Sequence, residues 1–377
     1  MKPETKSLIE QAIRGIAEFS LGEYGLAPHR LPHWTAKYHD CDQLTQQVAN
    51  QASGARLALH TAATQIEFAF HATRDSGEDG SLNPSTVSLT AGDWAQTFTS
   101  NEGDIKVWDA TGNFKLRKGG PSMAVFELPE TDQPRLVDIW LPHNSFLEIL
   151  DLTANAPLAP APQAQKRWVH YGSSISHCME ATEPIGVWSV VAARKINLDL
   201  FNLGLAGSAN LEYFAARVIA DLPADLITLK VGINTVNGGH LTKRVFVPAV
   251  HSFLDEIRSK HPSTPIVVIS PIFCSAHEQN PGPTLRGIDG KILGSKGNGL
   301  DWTGELNLVM IRELLAGIVE RRQDPNLDYL SGLELFSQAD DHLLPDGLHP
   351  NAEGYQLMGE RFTEILRRNA LTAPLVS

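Results

Sequence analysis

The sequence predicts an α/β protein in two parts, an all-β sandwich followed by a domain whose parallel sheet is covered by helices on both faces. Three observations predict this. The chain has 377 residues, more than one ordinary hydrophobic core organises. Up to about Leu152 the apolar residues alternate with a period of two. From residue 166 short β-rich runs alternate with helical patterns, the signature of βαβ units.

The chain opens with Leu8, Ile9, Ala12, Ile13, Ile16 and Phe19 at helical spacing, which predicts an amphipathic helix. In "TQIEFAFHA", Ile66, Phe68 and Phe70 then share one face of a strand, with Gln65, Glu67 and Ala69 on the other. "MAVFELP" and "RLVDIWLP" have the same rhythm, and the Gly-, Asn- and Pro-rich clusters between such runs read as turns. This pattern predicts a sandwich over 1–152 resembling a carbohydrate-binding module. Its Trp94, Trp108 and Trp140 fit core packing, with a sugar-stacking platform as the alternative. Residues 153–165, "TANAPLAPAPQAQ", lack an apolar period and predict a linker. The second domain is expected over 166–377. Its strands are "RWVHY", "LDLFNLGL", "ADLITLKVG" and "TPIVVISP", with helices at 185–196, 210–222 and 243–260. The Gly- and Pro-rich segment 271–302 predicts a functional loop or lid, and a last helix runs over roughly 351–369.

The net charge of −12 and the lack of any Lys/Arg run argue against a nucleic-acid partner. No stretch is apolar enough over enough length to span a bilayer, so no membrane partner is expected. The N-terminus lacks the uninterrupted apolar core of a secretory signal. Three scattered cysteines, Cys41, Cys178 and Cys274, argue for a reducing compartment, and a cytoplasmic location is expected.

In a parallel α/β sheet, binding groups gather beyond the carboxyl ends of the strands. The segments there are Gly172-Ser173-Ser174-Ile175, "NLGLAGSAN" at 202–210 and "GINTVNGG" at 232–239. "LPDGLHPNAEGY" at 344–355 precedes the last helix. A serine hydroxyl needs a base for its proton, and the base needs a partner that holds its tautomer. Asp346 and His349, three residues apart, can meet within one turn. Backbone N–H groups of Ser174 and Gly207, with the side-chain amide of Asn234, can supply donors to an oxyanion.

Taken together, the four blocks resemble the SGNH (GDSL) hydrolase superfamily, with Ser174 in G-S-S-I, Gly207 in L-A-G-S, Asn234 in G-I-N-T and His349 in D-x-x-H. The resemblance covers the second half of the chain. It implies a flavodoxin-like three-layer α/β/α domain, Ser174, His349 and Asp346 as catalytic triad, and Ser174, Gly207 and Asn234 as oxyanion hole. It implies no cofactor and no metal. Ser173 stands where the family usually has Asp, and Thr235 replaces a second Asp. A sandwich ahead of "YGSSI" and "VGIN" is similar to a subgroup that includes a salicyl-transferring acyltransferase of tetracycline-type polyketide biosynthesis. That similarity implies a jelly-roll-like first domain. The expected activity is hydrolysis of a small acyl ester of a carbohydrate or natural product through an acyl-enzyme. Transfer of the acyl group to an alcohol is the alternative, and a non-catalytic carbohydrate-binding protein is the third reading.

Competing features weigh less. Asp340, Asp341 and His342 form a second acid–histidine set, read as a solvated loop because no helix start follows it. Gly204 and Gly207 do not sit in either nucleotide-loop pattern. His39, Asp40, Cys41 and Asp42 lack a second cluster at zinc spacing. His177 and Cys178 are expected to pack beneath the serine turn. Ser176 occupies the place of the last glycine in a G-x-S-x-G elbow, so that pattern is absent.

Overall fold

A computed structural model describes residues 1–39, 42–77, 82–109, 111–163, 165–288, 290–298 and 304–376. The chain divides into two compact units. Met1–Ala164 and Thr182–Ile185 form the first, and Gln165–Ala181 and Gly186–Ser377 the second.

The first unit holds two sheets. One runs in the order Ile13–Arg14, Arg56–Thr61, Arg135–Trp140, Ser85–Ala91, Trp94–Ser100. The other runs Glu18–Leu21, Leu26–His29, Phe146–Ala154, Gln65–Ser76, Asp104–Trp108, Phe114–Arg117, with Ser122–Glu127 also on Gln65–Ser76. Leu57, Leu59, Leu89 and Ile139 of the first sheet share one buried cluster with Ile66, Phe68, Phe70 and Phe126 of the second. Each such phenylalanine, fully withdrawn from water, contributes about 1.5–3 kcal/mol. Ile66, Phe68 and Phe70 all point inward, as the alternation predicts. Trp140 is buried, with its Nε1 3.1 Å from Thr90 Oγ1, and Trp94 packs against the core. Trp108 instead turns out of the core. Its Nε1 donates to Asp75 at 2.7 Å and its ring lies 4.8 Å from Phe114.

Two expectations for this half change. The opening helix ends at Ala12: Ile13 is already extended at φ −64° and ψ 142°, Ile13–Arg14 forms a strand, and Gly15 follows at a φ of 78°. Ile13, Ile16 and Phe19 then pack on the sandwich core from outside the helix. The stretch 153–165 is not a free connector. Thr153 and Ala154 finish a strand, Ala159–Pro160 pairs with Arg56–Thr61, and Thr61 Oγ1 donates to the Pro157 carbonyl at 2.8 Å.

Elements of the second unit are numbered on their own. They are β1 (Lys166–Gly172), α1 (Ser174–His177), α2 (Trp188–Lys195), β2 (Leu198–Gly204), α3 (Tyr213–Asp221) and β3 (Leu226–Lys230). Then come α4 (Ile233–Asn237), α5 (Lys243–Arg258), β4 (Ile266–Ile269), α6 (Leu308–Arg322), β5 (Leu327–Leu330) and α7 (Ala352–Arg368). The five strands are all parallel, in the order β2-β1-β3-β4-β5. The direction of strand order reverses at β1, and the crevice between β1 and β3 is where such sheets bind ligands. Side chains three apart on β1 face opposite ways. Trp168 meets Phe362 of α7 and Trp188 of α2, while Tyr171 meets Phe253 of α5. Helices therefore cover both faces, giving three layers.

The segment 271–302 is not without structure. It carries a hairpin of Thr284–Arg286 against Ile292–Gly294. Helix α6, capped by Asn307, and strand β5 complete the sheet's far edge and went unread in the sequence. Among the described residues, no helix is long and apolar enough to cross a membrane, and no group of three or more His, Cys, Asp or Glu is placed to hold a metal ion. Asp40 and Cys41 of the "YHDCD" cluster lie outside the described residues.

Candidate active site

The site is built where β1, β2 and β3 end. Leu205 N–H donates to the Gly172 carbonyl at 2.7 Å, joining the first two strand ends. Ala209 N–H donates to Asn234 Oδ1 at 3.0 Å, joining the loop after β2 to helix α4. Gly204 is required by close approach: a Cβ there would lie 2.4 Å from the His177 backbone nitrogen, so α1 could not rest on the end of β2.

Ser173 is the N-cap of α1 and Ser174 its first residue. Ser174 Oγ lies 2.9 Å from His349 Nε2. His349 Nδ1 lies 2.7 Å from Asp346 Oδ2. The other carboxylate oxygen, Oδ1, accepts from the backbone N–H groups of Leu348 at 2.9 Å and His349 at 2.7 Å. Gly347, at a φ of 84°, lets the turn close this tightly. Cys274 Sγ donates to the Gly347 carbonyl at 3.1 Å, and burial pushes that thiol up to about 11, so it remains a donor. The Ile292 N–H of the hairpin donates to the Asp346 carbonyl at 2.7 Å.

The electrostatics follow from these contacts. Burial opposes the ionisation of Asp346, but the hydrogen bonds from the His349 ring, the His349 backbone and the Leu348 backbone outweigh it. They hold the carboxyl down at about 2. Burial likewise disfavours charged His349. The Asp346 hydrogen bond and the charges of Glu180 and Asp346 outweigh that cost and the opposing charge of Arg286, so its pKa is raised.

Of the expected residues, Ser174, His349 and Asp346 meet in one hydrogen-bonded line. Asn234 is buried, and its carbonyl oxygen is engaged by Ala209, which leaves the amide NH₂ as the group free to turn to a ligand. Gly207, at a φ of 70°, sits in the loop that Ala209 ties to Asn234. The N–H of Ser174, at the first position of α1, has no acceptor within its own helix. The three neighbouring serines have different surroundings. Ser176 Oγ lies 2.8 Å from His170 Nε2, and the buried Ser173 Oγ has no hydrogen-bond partner among the described residues.

Of the competing set, His342 is exposed, as a solvated loop requires, but Asp340 is not. Asp340 is buried, closes a capping box with Ser337, and pairs with Arg361 at 2.6 Å and 3.1 Å. A capping box needs only Ser337 and Asp340, three apart, and that signal was present in the sequence. His177 and Cys178 are fully buried under the serine turn. Three residues near His349 were not foreseen: Glu180, Tyr355 and Arg286. They come from a turn, from α7 and from the hairpin, and no motif marks them.

Residues 165–281 match the model of the GDSL-like Lipase/Acylhydrolase family. A multidomain esterase of Ruminococcus flavefaciens is 29% identical over 142 residues, which cover 37% of this chain and 15% of that protein. Among solved structures, a salicylyl-acyltransferase from a tetracycline biosynthetic pathway is 26% identical, with a TM-score of 0.77 over 97% of this chain and 96% of its own. A GDSL-like lipase structure from Bacteroides ovatus is 20% identical, with a TM-score of 0.65 over 96% of each chain. A family two carbohydrate esterase from Clostridium thermocellum, in complex with cellohexaose, is 14% identical with a TM-score of 0.55 over 84% of this chain and 93% of its own. These last two likenesses are of fold. With its 2-1-3-4-5 parallel sheet and the matched segment 165–281, the second unit is similar to the GDSL-like lipases and acylhydrolases, an SGNH-like domain accompanied by a β-rich first unit.

Proposed function

We propose that the protein is a serine esterase that works through an acyl-enzyme on a small acyl ester of a carbohydrate or natural product. The observation that carries this is the unbroken line Ser174 Oγ–His349 Nε2 at 2.9 Å and His349 Nδ1–Asp346 Oδ2 at 2.7 Å. In this reading Ser174 Oγ attacks the ester carbonyl while His349 Nε2 takes its proton. Asp346 holds the Nδ1–H tautomer and stabilises the imidazolium. The oxyanion takes hydrogen bonds from the Ser174 and Gly207 N–H groups and the Asn234 amide. The tetrahedral intermediate collapses as His349 returns the proton to the leaving alcohol. Water, deprotonated by His349, then adds to the acyl-enzyme, and Ser174 departs with its proton restored. These steps use no metal and no organic cofactor.

A second reading is acyl transfer, in which an alcohol replaces the water. The likeness to the salicylyl-acyltransferase over nearly the whole of both chains supports it. Carbohydrate as the alcohol part draws support from the fold shared with the cellohexaose-bound esterase. We further read the first unit as a jelly-roll-like sandwich and place the protein in the cytoplasm, where the buried free thiols Cys178 and Cys274 would stay reduced.

The test is hydrolysis of p-nitrophenyl acetate, butyrate and octanoate by wild type and Ser174→Ala, with intact-mass analysis for an acyl adduct. Turnover by wild type alone supports the serine mechanism. An adduct that water releases slowly, and an added alcohol quickly, supports transfer. No reaction with any ester or with a fluorophosphonate overturns both readings in favour of a non-catalytic binding protein.

A further inference from the structure

We infer that Glu180 is a positioning residue for His349. It would be a second carboxylate, fixed by Tyr355, that faces the same ring nitrogen as Asp346 and stabilises the imidazolium formed when Ser174 gives up its proton. The inference rests on the serine-esterase reading above.

Glu180 Oε1 lies 3.8 Å from His349 Nδ1. That is beyond a hydrogen bond but within reach of a charge–charge attraction, which solvent screens in part because the Glu180 side chain is 38% exposed. The other oxygen, Oε2, accepts from the Tyr355 hydroxyl at 2.8 Å. Tyr355 is fully buried in α7, and burial, followed by the charge of Glu180, pushes its phenol well above the usual range. It therefore stays a donor, and Glu180 is held at one distance rather than left to swing in solvent. Asp346 cannot supply this attraction twice, because its Oδ1 is taken by the Leu348 and His349 backbone and only Oδ2 reaches the ring.

The groups facing His349 come from each neighbouring segment. Asp346 lies on its own turn, Glu180 on the turn after α1, Arg286 on the hairpin, the Ser174 hydroxyl at the start of α1, and Tyr355 on α7. Two anions oppose one cation. No proton passes to Glu180 in this scheme. The proton travels from Ser174 Oγ to His349 Nε2, the Nδ1–H stays on the ring and donates to Asp346, and Glu180 acts through space. The same geometry makes Glu180 the carboxylate nearest to Nδ1 once Asp346 is neutralised.

The experiment uses the full chain in four variants, E180Q, Y355F, D346N and D346N/E180Q, beside wild type. One readout is the pH profile of kcat/KM on p-nitrophenyl acetate. The other is the NMR titration of the His349 ring, assigned with H349Q. Replacing Glu180 by Gln is expected to lower the His349 midpoint and the acid limb of kcat/KM together by about 1 pH unit. Plateau kcat falls by roughly tenfold, with KM within about twofold of wild type. Y355F moves both readouts the same way by less. The double variant is expected to lose roughly tenfold more than the product of the single losses, since D346N leans on Glu180. An unmoved acid limb and NMR midpoint in E180Q, a change in KM alone, or simple multiplication in the double variant overturns the inference. If E180Q does not fold, Y355F decides by the same two readouts. If wild type turns over no ester, the esterase reading fails. The NMR titration then still decides whether Glu180 acts on the ring.

Discussion

Ser176 Oγ stands 2.8 Å from His170 Nε2 beneath the serine turn, while Ser174, two positions earlier, meets His349. One short helix thus turns one hydroxyl into the core and the other to the rim. The His170 ring continues to Thr228 Oγ1 at 2.7 Å, where Trp168 Nε1 also donates at 2.8 Å. Burial, helped by the charge of Lys230, pushes His170 down to about 3, so this ring stays neutral and serves as a strut.

The two serines are therefore expected to fail in different ways. Ser176→Ala leaves a buried ring nitrogen unpaired and costs about 1–3 kcal/mol of stability, read by urea denaturation, while the folded protein retains ester turnover. Ser174→Ala lowers kcat by about 10⁴-fold or more with little change in the denaturation midpoint. Asn234→Ala lowers kcat by about 10²–10³-fold. Equal losses of activity from Ser174→Ala and Ser176→Ala would contradict the assigned register.

Activity is expected to fall on the acid side. His349 acts as a base only when neutral, and its pKa is raised above the ordinary 6.5. Turnover is therefore lost as pH drops through a midpoint above 6.5, and a midpoint below that value would contradict the Asp346 and Glu180 contacts. Stability has two linked parts. The raised His349 pKa contributes stability that is present below 6.5 and is lost as pH rises through the folded value. The Asp346 pKa, lowered from 3.8 to about 2, contributes stability that is present above 3.8 and is lost as pH falls towards 2. Denaturation midpoints across pH 2–9 for wild type and D346N, a range set by those values, check both.

Lys230 ends β3 as a fully buried amine with no hydrogen-bond partner among the described residues. Burial lowers it from 10.5 to about 8, with Arg312 acting in the same direction and Cys178 against. Below pH 8 the folded protein carries this charge at a cost, and stability is expected to rise between pH 8 and 10.5 as the folded form releases the proton first. Lys230→Met should raise Tm at pH 7 and abolish that rise. A lower Tm in the variant would point to an undetected partner for the amine.

The Asp340–Arg361 pair is expected to matter for folding alone. Asp340→Ala removes a cap and takes from Arg361 its carboxylate, leaving it only the Leu335 carbonyl among the described residues, at a cost of about 1–3 kcal/mol. His342→Ala, whose ring lies 3.2 Å from the Ala339 carbonyl, should leave kcat/KM within about twofold of wild type. Loss of turnover in His342→Ala with an intact fold would revive the competing acid–histidine set.

The meeting of Ser174, His349 and Asp346 was legible because these residues stand where the chain is punctuated. Gly172 and Gly204 end β1 and β2, Gly207 and Gly232 lie in the turns beyond β2 and β3, and Asp346 and His349 share a turn just before a helix. Side chains at such ends have few places to go, so spacing predicts contact. Strands with clear alternation, such as Gln65–Ser76, were legible for the same reason. What stayed hidden depends on distant partners. Glu180 carries no local signal and gains its place only from Tyr355, 175 positions away. The helix Leu308–Arg322 and strand Leu327–Leu330 follow a long Gly- and Pro-rich segment that reads as loop to its end. At the N-terminus a helical period runs on to Phe19, but the backbone turns extended at Ile13 to pair with Arg56–Thr61, a distant partner that spacing does not show. Asp340 was misjudged because a capping carboxylate and a solvated one look alike until Arg361 folds back onto it.

The main-chain bond from Ile292 to the Asp346 carbonyl has a consequence for engineering. Hairpins flanking a site are natural targets for laboratory libraries that broaden substrate range. Here, diversity introduced at side chains such as Arg286, Ile288 or Leu293 leaves the bonded amide in place. An inserted or deleted residue between Arg286 and Ile292 shifts the strand register and carries the Asp346 turn with it. Libraries of fixed length should therefore yield many active variants with altered selectivity, and libraries of variable length mostly inactive ones.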